Sequence, residues 1–320
     1  MTVDQRVMTV DQVEALAPGD DPATGSLLVE LLHAGLLCPT GVDGLYGRSA
    51  TYQRVADAVS RLVHEWGNEL GAARIAFPPV LARRTFAETN YLESFPDLMG
   101  SVHVFRGGDR EHRELLGRVA SGGDWQALLE PAEVVLGSAA CHAVYPLCRG
   151  RVPADGRFFD VSSFCFRHEP STEPTRMQAF VMHEIVFVGS AAGAQQHRDE
   201  GLARGLALLG LLGLDVSPVP ASDPFFGRVG SVLASGQLDD ELKIEGVTDV
   251  RGNLTPTAIM SANCHRDHFG GPFAIETADG EVAHSACVAF GVDRIVVALL
   301  ARHGLDPASW PADVRSRLDQ

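Results

Sequence analysis

Lysine is almost absent from this chain of 320 residues, which contains only Lys243. Lysine and arginine together number 26, against 41 aspartates and glutamates, so the formal net charge is −15. Nucleic-acid binding needs lysine and arginine clustered on one face, and the sequence shows no such cluster. This composition argues against a nucleic-acid partner, although a small basic patch is compatible with a negative net charge.

Long apolar runs and a secretory pattern are also missing. No stretch of about 18 apolar residues occurs, so the sequence predicts no membrane-spanning helix and no membrane partner. The start, MTVDQRVMTVDQ, is polar and acidic, unlike a signal peptide. We expect residues 1–20 to be disordered. Six cysteines in a chain of this size do not suggest a secreted disulfide framework. We therefore expect a cytoplasmic protein with reduced thiols, some of them available to metals.

The glycine-rich turn of a dinucleotide-binding fold is absent, as is the alternation of strands and helices that such a fold needs. Strand patterns instead follow one another, separated by Gly, Asp and Asn clusters. This order predicts an α+β fold with a largely antiparallel sheet flanked by helices. The predicted helices cover residues 25–37, 48–70, 192–212 and 292–303. The predicted strands cover residues 72–81, 101–105, 132–136, 157–167, 178–188, 214–219, 241–250, 254–264 and 282–290.

The segment 161–187 could present several reactive side chains on one surface. Arg167 and Glu169 are two residues apart, and Phe180 and Glu184 are four apart. Even spacing places strand side chains on the same face. Arginine suits bidentate recognition of phosphate or carboxylate, and a phenylalanine ring can stack on a flat base. The plainer alternative is a hairpin with a cross-strand Arg–Glu pair and a core phenylalanine. The segment alone leaves both interpretations open.

A second candidate is the run Gly291-Val292-Asp293-Arg294, which precedes an apolar helix. Arg294 falls in the first helical turn, where the helix dipole disfavours a cation. A bound anion shared with the helix end would explain an arginine there. Pairing with a nearby acid is the common alternative.

These residues resemble three signature motifs of the class II aminoacyl-tRNA synthetases. Phe166-Arg167-x-Glu169 with the later Phe180 is similar to motif 2, and Gly291-x-Asp293-Arg294 is similar to motif 3. The stretch FPPVL at 77–81 resembles motif 1, which lies at the dimer interface in that family. The resemblance implies a homodimer and one synthetase-like catalytic domain over residues 21–320. Motif 1 would lie near 72–81, motif 2 at 164–188 and motif 3 at 282–303.

Within that superfamily the chain is most similar to the amino acid:[carrier protein] ligases, which resemble the core of archaeal-type seryl-tRNA synthetases. That family binds zinc through Cys, Glu and Cys, and the matching positions are Cys141, Glu184 and Cys287. Two thiolates and a carboxylate are credible zinc ligands, and three protein ligands leave one position open for a substrate.

Other residues could compete for the metal. The rival ligands are Cys264, His265 and His268. Adjacent strand residues face opposite sides, so Cys264 and His265 could share a metal only if the strand bulges.

The resemblance also implies roles in binding ATP. Phe180 would stack on adenine, and Glu169 would accept a hydrogen bond from its amino group. Arg167 would span the α-phosphate and the carboxylate of the amino acid. Arg294 would stack on the other face of adenine or meet the γ-phosphate.

The run Ser261-Ala262-Asn263-Cys264 resembles the substrate strand of seryl-tRNA synthetases, which makes Ser261 and Asn263 substrate-binding candidates. Seryl enzymes place a glutamate for ATP-bound Mg²⁺ before that strand. This chain has residues 257–260 (TAIM) there instead, and Glu241 or Glu245 is the expected substitute.

The implied reaction is activation of a small amino acid, glycine or alanine, as an aminoacyl-adenylate. The aminoacyl group would pass to the phosphopantetheine thiol of an acidic carrier protein docked on helix 192–212 or on the segment with Arg228. About 70 residues precede motif 1 and hold no sustained heptads, so we expect no tRNA-reading domain and no tRNA partner. The alternatives are a truncated seryl enzyme that charges tRNA and a non-catalytic amino-acid sensor. A zinc hydrolase would leave both arginine motifs unexplained.

Overall fold

The computed structural model describes residues 26–319 except 224, 225, 227–234, 236, 239, 252 and 254. The predicted disorder of residues 1–20 and the predicted docking residue Arg228 lie outside the described residues. Among the described residues, no helix combines the length and apolar character needed to cross a bilayer.

The helices vary from single turns to long rods. They are α1 (Leu27–His33), α2 (Ala50–Glu69), α3 (Arg83–Glu88), α4 (Tyr91–Ser94), α5 (Asp109–Ser121), α6 (Ala191–Leu211), α7 (Val292–His303) and α8 (Ala312–Leu318). Side-chain caps begin the two longest helices. The hydroxyl of Ser49 accepts from the Tyr52 backbone N–H, and that of Ser190 accepts from Gly193.

The first seven strands along the chain are β1 (Leu37–Pro39), β2 (Tyr46–Arg48), β3 (Ala73–Ala76), β4 (Val80–Ala82), β5 (Ser101–Val104), β6 (Glu130–Leu136) and β7 (Gly150–Arg151). The remaining strands are β8 (Arg157–Phe166), β9 (Ala179–Gly189), β10 (Ser217–Ala221), β11 (Lys243–Thr248), β12 (Thr257–Arg266), β13 (Ile275–Glu276) and β14 (His284–Gly291).

A seven-stranded sheet dominates the fold, in the order β10-β11-β12-β14-β9-β8-β3. Every neighbouring pair in it is antiparallel except β3 with β8. A smaller sheet, β4-β6-β5, lies beside it, and β1 pairs with β2 as a hairpin. The predicted α+β class with a largely antiparallel sheet flanked by helices is confirmed.

Two cores cover the opposite faces of this sheet. On one face α2 and α7 pack together, and Val59, Val63 and Ile295 join side chains of the central strands. On the other face the core is built from Tyr145 and Phe273 with further strand residues. The helices α2 and α7 cover the first face. The candidate site lies on the second face, where the strands also carry polar side chains.

Most predicted elements occur within a few residues of their expected bounds, but two predictions were wrong in detail. The predicted strand 72–81 is split between β3 in the large sheet and β4 in the small one. Pro78 and Pro79 lie between them and have no N–H to donate to a ladder. The predicted helix 25–37 ends at His33, because Gly35 takes φ +65° and the chain then enters β1.

Helix α5 was not predicted. Every one of its residues has at least partial exposure, so no buried apolar face marks it in the sequence. Local signals support it instead: the Glu111 carboxylate accepts from the Gly108 backbone N–H, and Arg118 pairs with Glu114 one turn away.

Candidate active site

The strand register brings distant residues into two rows on one face of the sheet. One row crosses four strands as Glu245, Ser261, Ala289 and Glu184. The next row is Lys243, Asn263, Cys287 and Val186. Residues paired directly across antiparallel strands point to the same side. The register therefore collects a thiol, two carboxylates, an amide and an ammonium group on one surface.

Cys141, Glu184 and Cys287 come together in a buried group. One ligand atom from each lies within 4.8 Å of the others. Glu184 Oε1 accepts from the backbone N–H groups of Ala140 and Cys141, at 2.7 and 3.2 Å. Glu184 Oε2 is buried without a hydrogen-bond partner. The carboxylate is thus oriented through one oxygen, and its other oxygen is available to a cation.

The electrostatics of this group also suit a cation. The hydrogen bond with Cys287, burial and the Glu184 charge all raise the pKa of the Cys141 thiol well above its ordinary value. The hydrogen bond with Cys141 lowers the pKa of Cys287, but burial and Glu184 outweigh it, so this pKa is raised too. The negative charge of Glu184 therefore disfavours loss of a proton from either thiol. A cation bound among the three groups would offset that repulsion. Buried sulfur ligands with one carboxylate fit zinc.

The rival metal ligands are placed differently. The β12–β14 register shifts between Cys264 and Arg266, which is the kind of irregularity that would free His265 from strict alternation. His265 Nε2 lies 3.5 Å from the Cys287 sulfur, and its Nδ1 lies 3.1 Å from Ser285 Oγ. Burial lowers the pKa of His265 to about 3, with help from His268, so the ring is neutral. The neutral ring contacts the sulfur directly.

Arg167 lies at the boundary between two cavities. The larger cavity, of about 630 Å³, is lined by the Cys141–Glu184–Cys287 group, and the smaller, of about 90 Å³, is lined by Phe180. Arg167 lines both. Its guanidinium carbon lies 5.6 Å from the centre of the Phe180 ring, and its Nε donates to the Ser138 carbonyl. A cation is therefore held between the thiol group and the aromatic ring.

Arg294 lines the smaller cavity only. Its Nε donates to the Thr175 carbonyl at 3.0 Å and its Nη1 to the Ala258 carbonyl at 2.9 Å. Burial and then the nearby Arg167 lower its pKa from the ordinary value. Within the described part of the chain no carboxylate forms an ion pair with Arg294. The site therefore holds two partly buried arginines suited to an anion.

Not every predicted residue joins the site. Glu169 lines neither cavity, and its carboxylate faces Arg176 at 3.6 Å. Ser261 lines both cavities and Asn263 the larger one. The Asn263 amide donates to Ser261 Oγ at 3.1 Å and to the Cys287 sulfur at 3.4 Å, so it supports the thiol group.

Asp293 links both arginine motifs to the N-terminal hairpin, and sequence reasoning missed this role. Its Oδ2 accepts from Arg48 Nη2 and from the Val181 backbone N–H, both at 2.6 Å, and its Oδ1 accepts from the Tyr52 hydroxyl at 3.0 Å. Burial raises the pKa of Asp293, while Arg48 opposes that shift. Its position next to Arg294 and the isolated Arg48 before α2 were the only sequence signals.

A second cluster, of His64, Asp160 and His183, lies on the opposite face from Glu184. The carboxylate oxygens of Asp160 lie 2.5 Å from His64 Nδ1 and 2.6 Å from His183 Nε2. Ligand atoms around tetrahedral zinc lie about 3.3 Å apart, given Zn–N bonds of about 2.0–2.1 Å. The shorter spacings are those of hydrogen bonds, so this cluster braces α2 against β8 and β9.

Curated proteins and solved structures are similar to this chain. No protein-family model matches the chain. Two curated proteins of Bradyrhizobium diazoefficiens do. Amino acid--[acyl-carrier-protein] ligase 1 is 42% identical over 280 residues, covering 87% of this chain and 86% of that protein. Amino acid--[acyl-carrier-protein] ligase 2 is 41% identical over 313 residues, covering 97% of this chain and 93% of that protein. A type-2 serine--tRNA ligase of Methanopyrus kandleri is 27% identical, and the chain covers 52% of its length.

Solved structures show the same fold. The M. kandleri SerRS in complex with A. aeolicus tRNASec superposes with a TM-score of 0.78 at 22% identity, covering 95% of this chain and 62% of that one. The Pyrococcus horikoshii seryl-tRNA synthetase complexed with ATP superposes with a TM-score of 0.65 at 14% identity, covering 92% of this chain and 62% of that one. The fold is therefore that of the class II aminoacyl-tRNA synthetases. The level of identity to the two Bradyrhizobium proteins defines the narrower group. The chain belongs to the amino acid--[acyl-carrier-protein] ligase family.

Proposed function

We propose that this chain activates a small amino acid with ATP, forming an aminoacyl-adenylate, and transfers the aminoacyl group to the phosphopantetheine thiol of a carrier protein. One observation supports this most directly: Arg167 lines both the cavity of the Cys141–Glu184–Cys287 group and the cavity of Phe180 and Arg294. A reaction that joins an amino acid to a nucleotide needs two adjoining sites with a cation at the junction.

Phe180, Arg294 and Arg167 are the residues proposed to bind ATP. Phe180 offers a ring for adenine, and Arg294 is a partly buried guanidinium without a carboxylate partner among the described residues. Glu245 lines the smaller cavity, whereas Glu241 lines neither, so Glu245 is the better candidate for Mg²⁺. The predicted contact between Glu169 and adenine needs a movement of its carboxylate away from Arg176.

Arg167 is the residue at which the two reactants meet. The amino-acid carboxylate attacks the α-phosphorus, a new P–O bond forms, and the bond to pyrophosphate breaks with its electron pair leaving on pyrophosphate. The α-phosphoryl group gains negative charge in that transition state. A fixed guanidinium stabilises this charge without reorganisation, and placing the two reactants in contact lowers the entropic barrier.

Zinc is the metal that Cys141, Glu184 and Cys287 would hold. The unpartnered Glu184 oxygen and the raised pKa values of both thiols fit a cation at this group. Bound there, zinc would act as a Lewis acid for the neutral α-amine of the amino acid. Asn263 and His265 contact the Cys287 sulfur and would orient this ligand.

We propose that the walls of the larger cavity select an amino acid with a small side chain. Phe269 is buried and stacks on Tyr145 with ring centres 3.9 Å apart. Phe269 lines the cavity together with Ala139 and Met182. A rigid aromatic wall excludes larger side chains by overlap, whereas one methyl group changes binding by only about 1–3 kcal/mol. We propose glycine as the best substrate, with alanine next and serine as the main competitor.

Transfer completes the proposed reaction. The phosphopantetheine thiol, as thiolate, attacks the carbonyl carbon of the adenylate, a thioester forms, and AMP leaves. We further propose a homodimer in the cytoplasm that acts on a carrier protein and not on tRNA. The support is the family of the two Bradyrhizobium ligases, together with a net charge of −15 that disfavours a polyanionic partner.

In the decisive experiment, this protein is incubated with ATP, labelled glycine and one of two acceptors. The acceptor is either a holo carrier protein or total tRNA. We expect a label on the carrier that thiols release, and none on tRNA. Apo carrier without phosphopantetheine is the matched control and should stay unlabelled. Label on tRNA would instead support a truncated seryl-type enzyme. If none of the twenty amino acids promoted ATP–pyrophosphate exchange, a non-catalytic sensor would be the better description.

A further inference from the structure

Arg294 is held by two carbonyl groups that belong to different segments of the chain. Its Nε donates to the carbonyl of Thr175, in the loop between β8 and β9. Its Nη1 donates to the carbonyl of Ala258, at the start of β12. A guanidinium group has five N–H donors, and these bonds leave the others for an anion in the smaller cavity. The direction of the guanidinium therefore depends on how the two segments are placed relative to each other.

Asn253 joins the same two segments through its side-chain amide. Its Nδ2 lies 2.9 Å from Thr175 Oγ1 and 2.7 Å from Thr257 Oγ1. Both threonines are buried. Thr175 also supplies one of the carbonyls that hold Arg294, and the other belongs to Ala258, which directly follows Thr257 in the chain. One amide group therefore fixes the spacing that the guanidinium bridges.

The carboxylate of Glu173 determines which way the amide points. Glu173 Oε1 lies 3.0 Å from Asn253 Nδ2 and accepts from the Thr175 hydroxyl at 2.5 Å. A carboxylate accepts hydrogen bonds and donates none, so the NH₂ group of Asn253 faces it rather than the carbonyl. The Thr175 hydroxyl gives its single proton to Glu173 and accepts from Asn253. Donors and acceptors of the three side chains therefore match in one arrangement.

Asn253 lies behind the nucleotide cavity and not in it. Thr175, Ala258 and Arg294 line the smaller cavity, whereas Asn253 lines neither cavity. Among the described residues, the hydrogen bonds that tie residues 171–176 to other segments come from Asn253 and Arg294. Without Asn253, these bonds would be reduced to the one from Arg294, so the Thr175 carbonyl would move with the arginine that it orients.

We propose that Asn253 is a positioning residue that holds Arg294 in place for ATP by fixing Thr175. The proposal rests on the proposed function, in which Arg294 binds ATP. A side chain that is already fixed loses less conformational entropy when an anion binds to it. Asn253 thus strengthens nucleotide binding without contacting the nucleotide. Because Arg294 is held in the same way before and during the reaction, Asn253 acts on binding and not on the rate of the chemical step.

Kinetics of ATP–pyrophosphate exchange test this role. Asn253→Ala should raise KM for ATP about tenfold, while kcat and KM for glycine change by less than about threefold. Asn253→Asp keeps the size of the side chain but places an oxygen opposite Glu173. Its KM for ATP should therefore be at least as high as that of Asn253→Ala.

A matched control removes a similar hydrogen bond elsewhere. The Thr277 hydroxyl donates to Asp279 Oδ1 at 2.5 Å, and Thr277 is buried but lines neither cavity. Thr277→Val should leave KM for ATP at the wild-type value. This control separates loss of a buried threonine hydroxyl in general from loss of the one that Asn253 holds.

A pair of substitutions at Thr175 tests the route by which Asn253 acts. Thr175→Val keeps the shape of the side chain and removes the hydroxyl, so the Kd for a non-hydrolysable ATP analogue should rise about tenfold in calorimetry. Thr175→Ser restores the hydroxyl and should bind within about twofold of wild type. In the Thr175→Val background, Asn253→Ala should change this Kd by less than about twofold, because the two residues act as one unit.

The outcomes separate this proposal from the one on which it rests. Active wild-type protein with an Asn253→Ala variant whose KM for ATP is unchanged would overturn the positioning role alone. A lower kcat at an unchanged KM would also overturn it. If Asn253→Ala does not fold, equal Kd values for Thr175→Val and Thr175→Ser would have the same meaning. Absence of exchange in the wild type with all twenty amino acids would overturn both proposals together.

Discussion

Arg48 Nη2 donates to Asp293 Oδ2 at 2.6 Å, and both side chains are buried, at 9% and 2% exposure. This ion pair joins the last residue of β2 to the residue next to Arg294. Strand β2 lies before the segment 72–81 that resembles motif 1. Asp293 Oδ2 also accepts from Val181, the residue after Phe180. One carboxylate therefore fixes the relative position of the ring and the guanidinium that line the smaller cavity.

Arg48→Ala should destabilise the protein and weaken its binding of ATP. Loss of one partner leaves a buried charge unpaired, which typically costs about 3–5 kcal/mol. Because burial already raises the pKa of Asp293, losing Arg48 raises it further. A carboxyl whose folded pKa exceeds its unfolded pKa destabilises as pH rises through the folded value. Urea unfolding should therefore show a deficit in unfolding free energy against wild type that shrinks as pH falls through the folded pKa of Asp293.

The matched control combines Arg48→Ala with Asp293→Asn, which removes the buried charge. This double variant should lose the extra pH dependence of the unfolding free energy relative to wild type. A deficit in Arg48→Ala that grows as pH falls would contradict the assignment of Asp293 as the responsible group.

Zinc should co-purify at about one ion per chain, as a three-ligand site predicts. Cys141→Ser and Cys287→Ser should each lose the metal and amino-acid activation together while keeping the far-ultraviolet circular dichroism of wild type. Metal content is measured by plasma mass spectrometry. Cys148→Ala is the control, because Cys148 is buried in the same core but lies outside the Cys141–Glu184–Cys287 group.

Two results would change the metal assignment. Normal zinc content in both serine variants would redirect it to Cys264, His265 and His268. Full activity in a metal-free sample would remove zinc from the proposed function.

Arg167→Ala should abolish adenylate formation, since Arg167 is the guanidinium that lines both cavities. The expected loss of transition-state stabilisation is at least about 2.7–4 kcal/mol. Arg157→Ala provides the control. Arg157 is the exposed first residue of β8, whereas Arg167 directly follows the last residue of the same strand. Amino acid-dependent ATP–pyrophosphate exchange is the measurement. Exchange by Arg167→Ala within a few-fold of wild type would mean that the resemblance to motif 2 has been misinterpreted.

The protein should be a dimer through the segment around Pro78 and Pro79. Both prolines are exposed between β3 and β4, where neither sheet of the chain covers them. Light scattering at micromolar concentration should therefore give twice the chain mass of 34.2 kDa. A mass of one chain under these conditions would count against the resemblance to motif 1.

The sequence by itself determined the class of fold and the identity of most candidate site residues. Phe180 and Glu184 share a face because strand side chains alternate, and that rule needs no tertiary contact. The apolar spacing of Val55, Val59 and Val63 likewise indicates a helix within the predicted range 48–70, because the buried stripe of a helix repeats every 3.6 residues. Local periodicity and short motifs are recorded in consecutive residues, so one chain is enough to detect them.

Only the tertiary structure decided which of these residues meet. Cys287 reaches Glu184 because β14 pairs with β9, although 94 residues separate the two strands in the chain between Gly189 and His284. Cross-strand register depends on the packing of whole sheet faces, and alternation within one strand does not specify it. The same holds for Lys243, whose burial follows from the ion pairs with Asp223 and Glu245, and for Asp293, whose partner Arg48 lies 245 residues away. Long-range pairing of charges becomes visible only when desolvation at a particular place makes each partner necessary to the other.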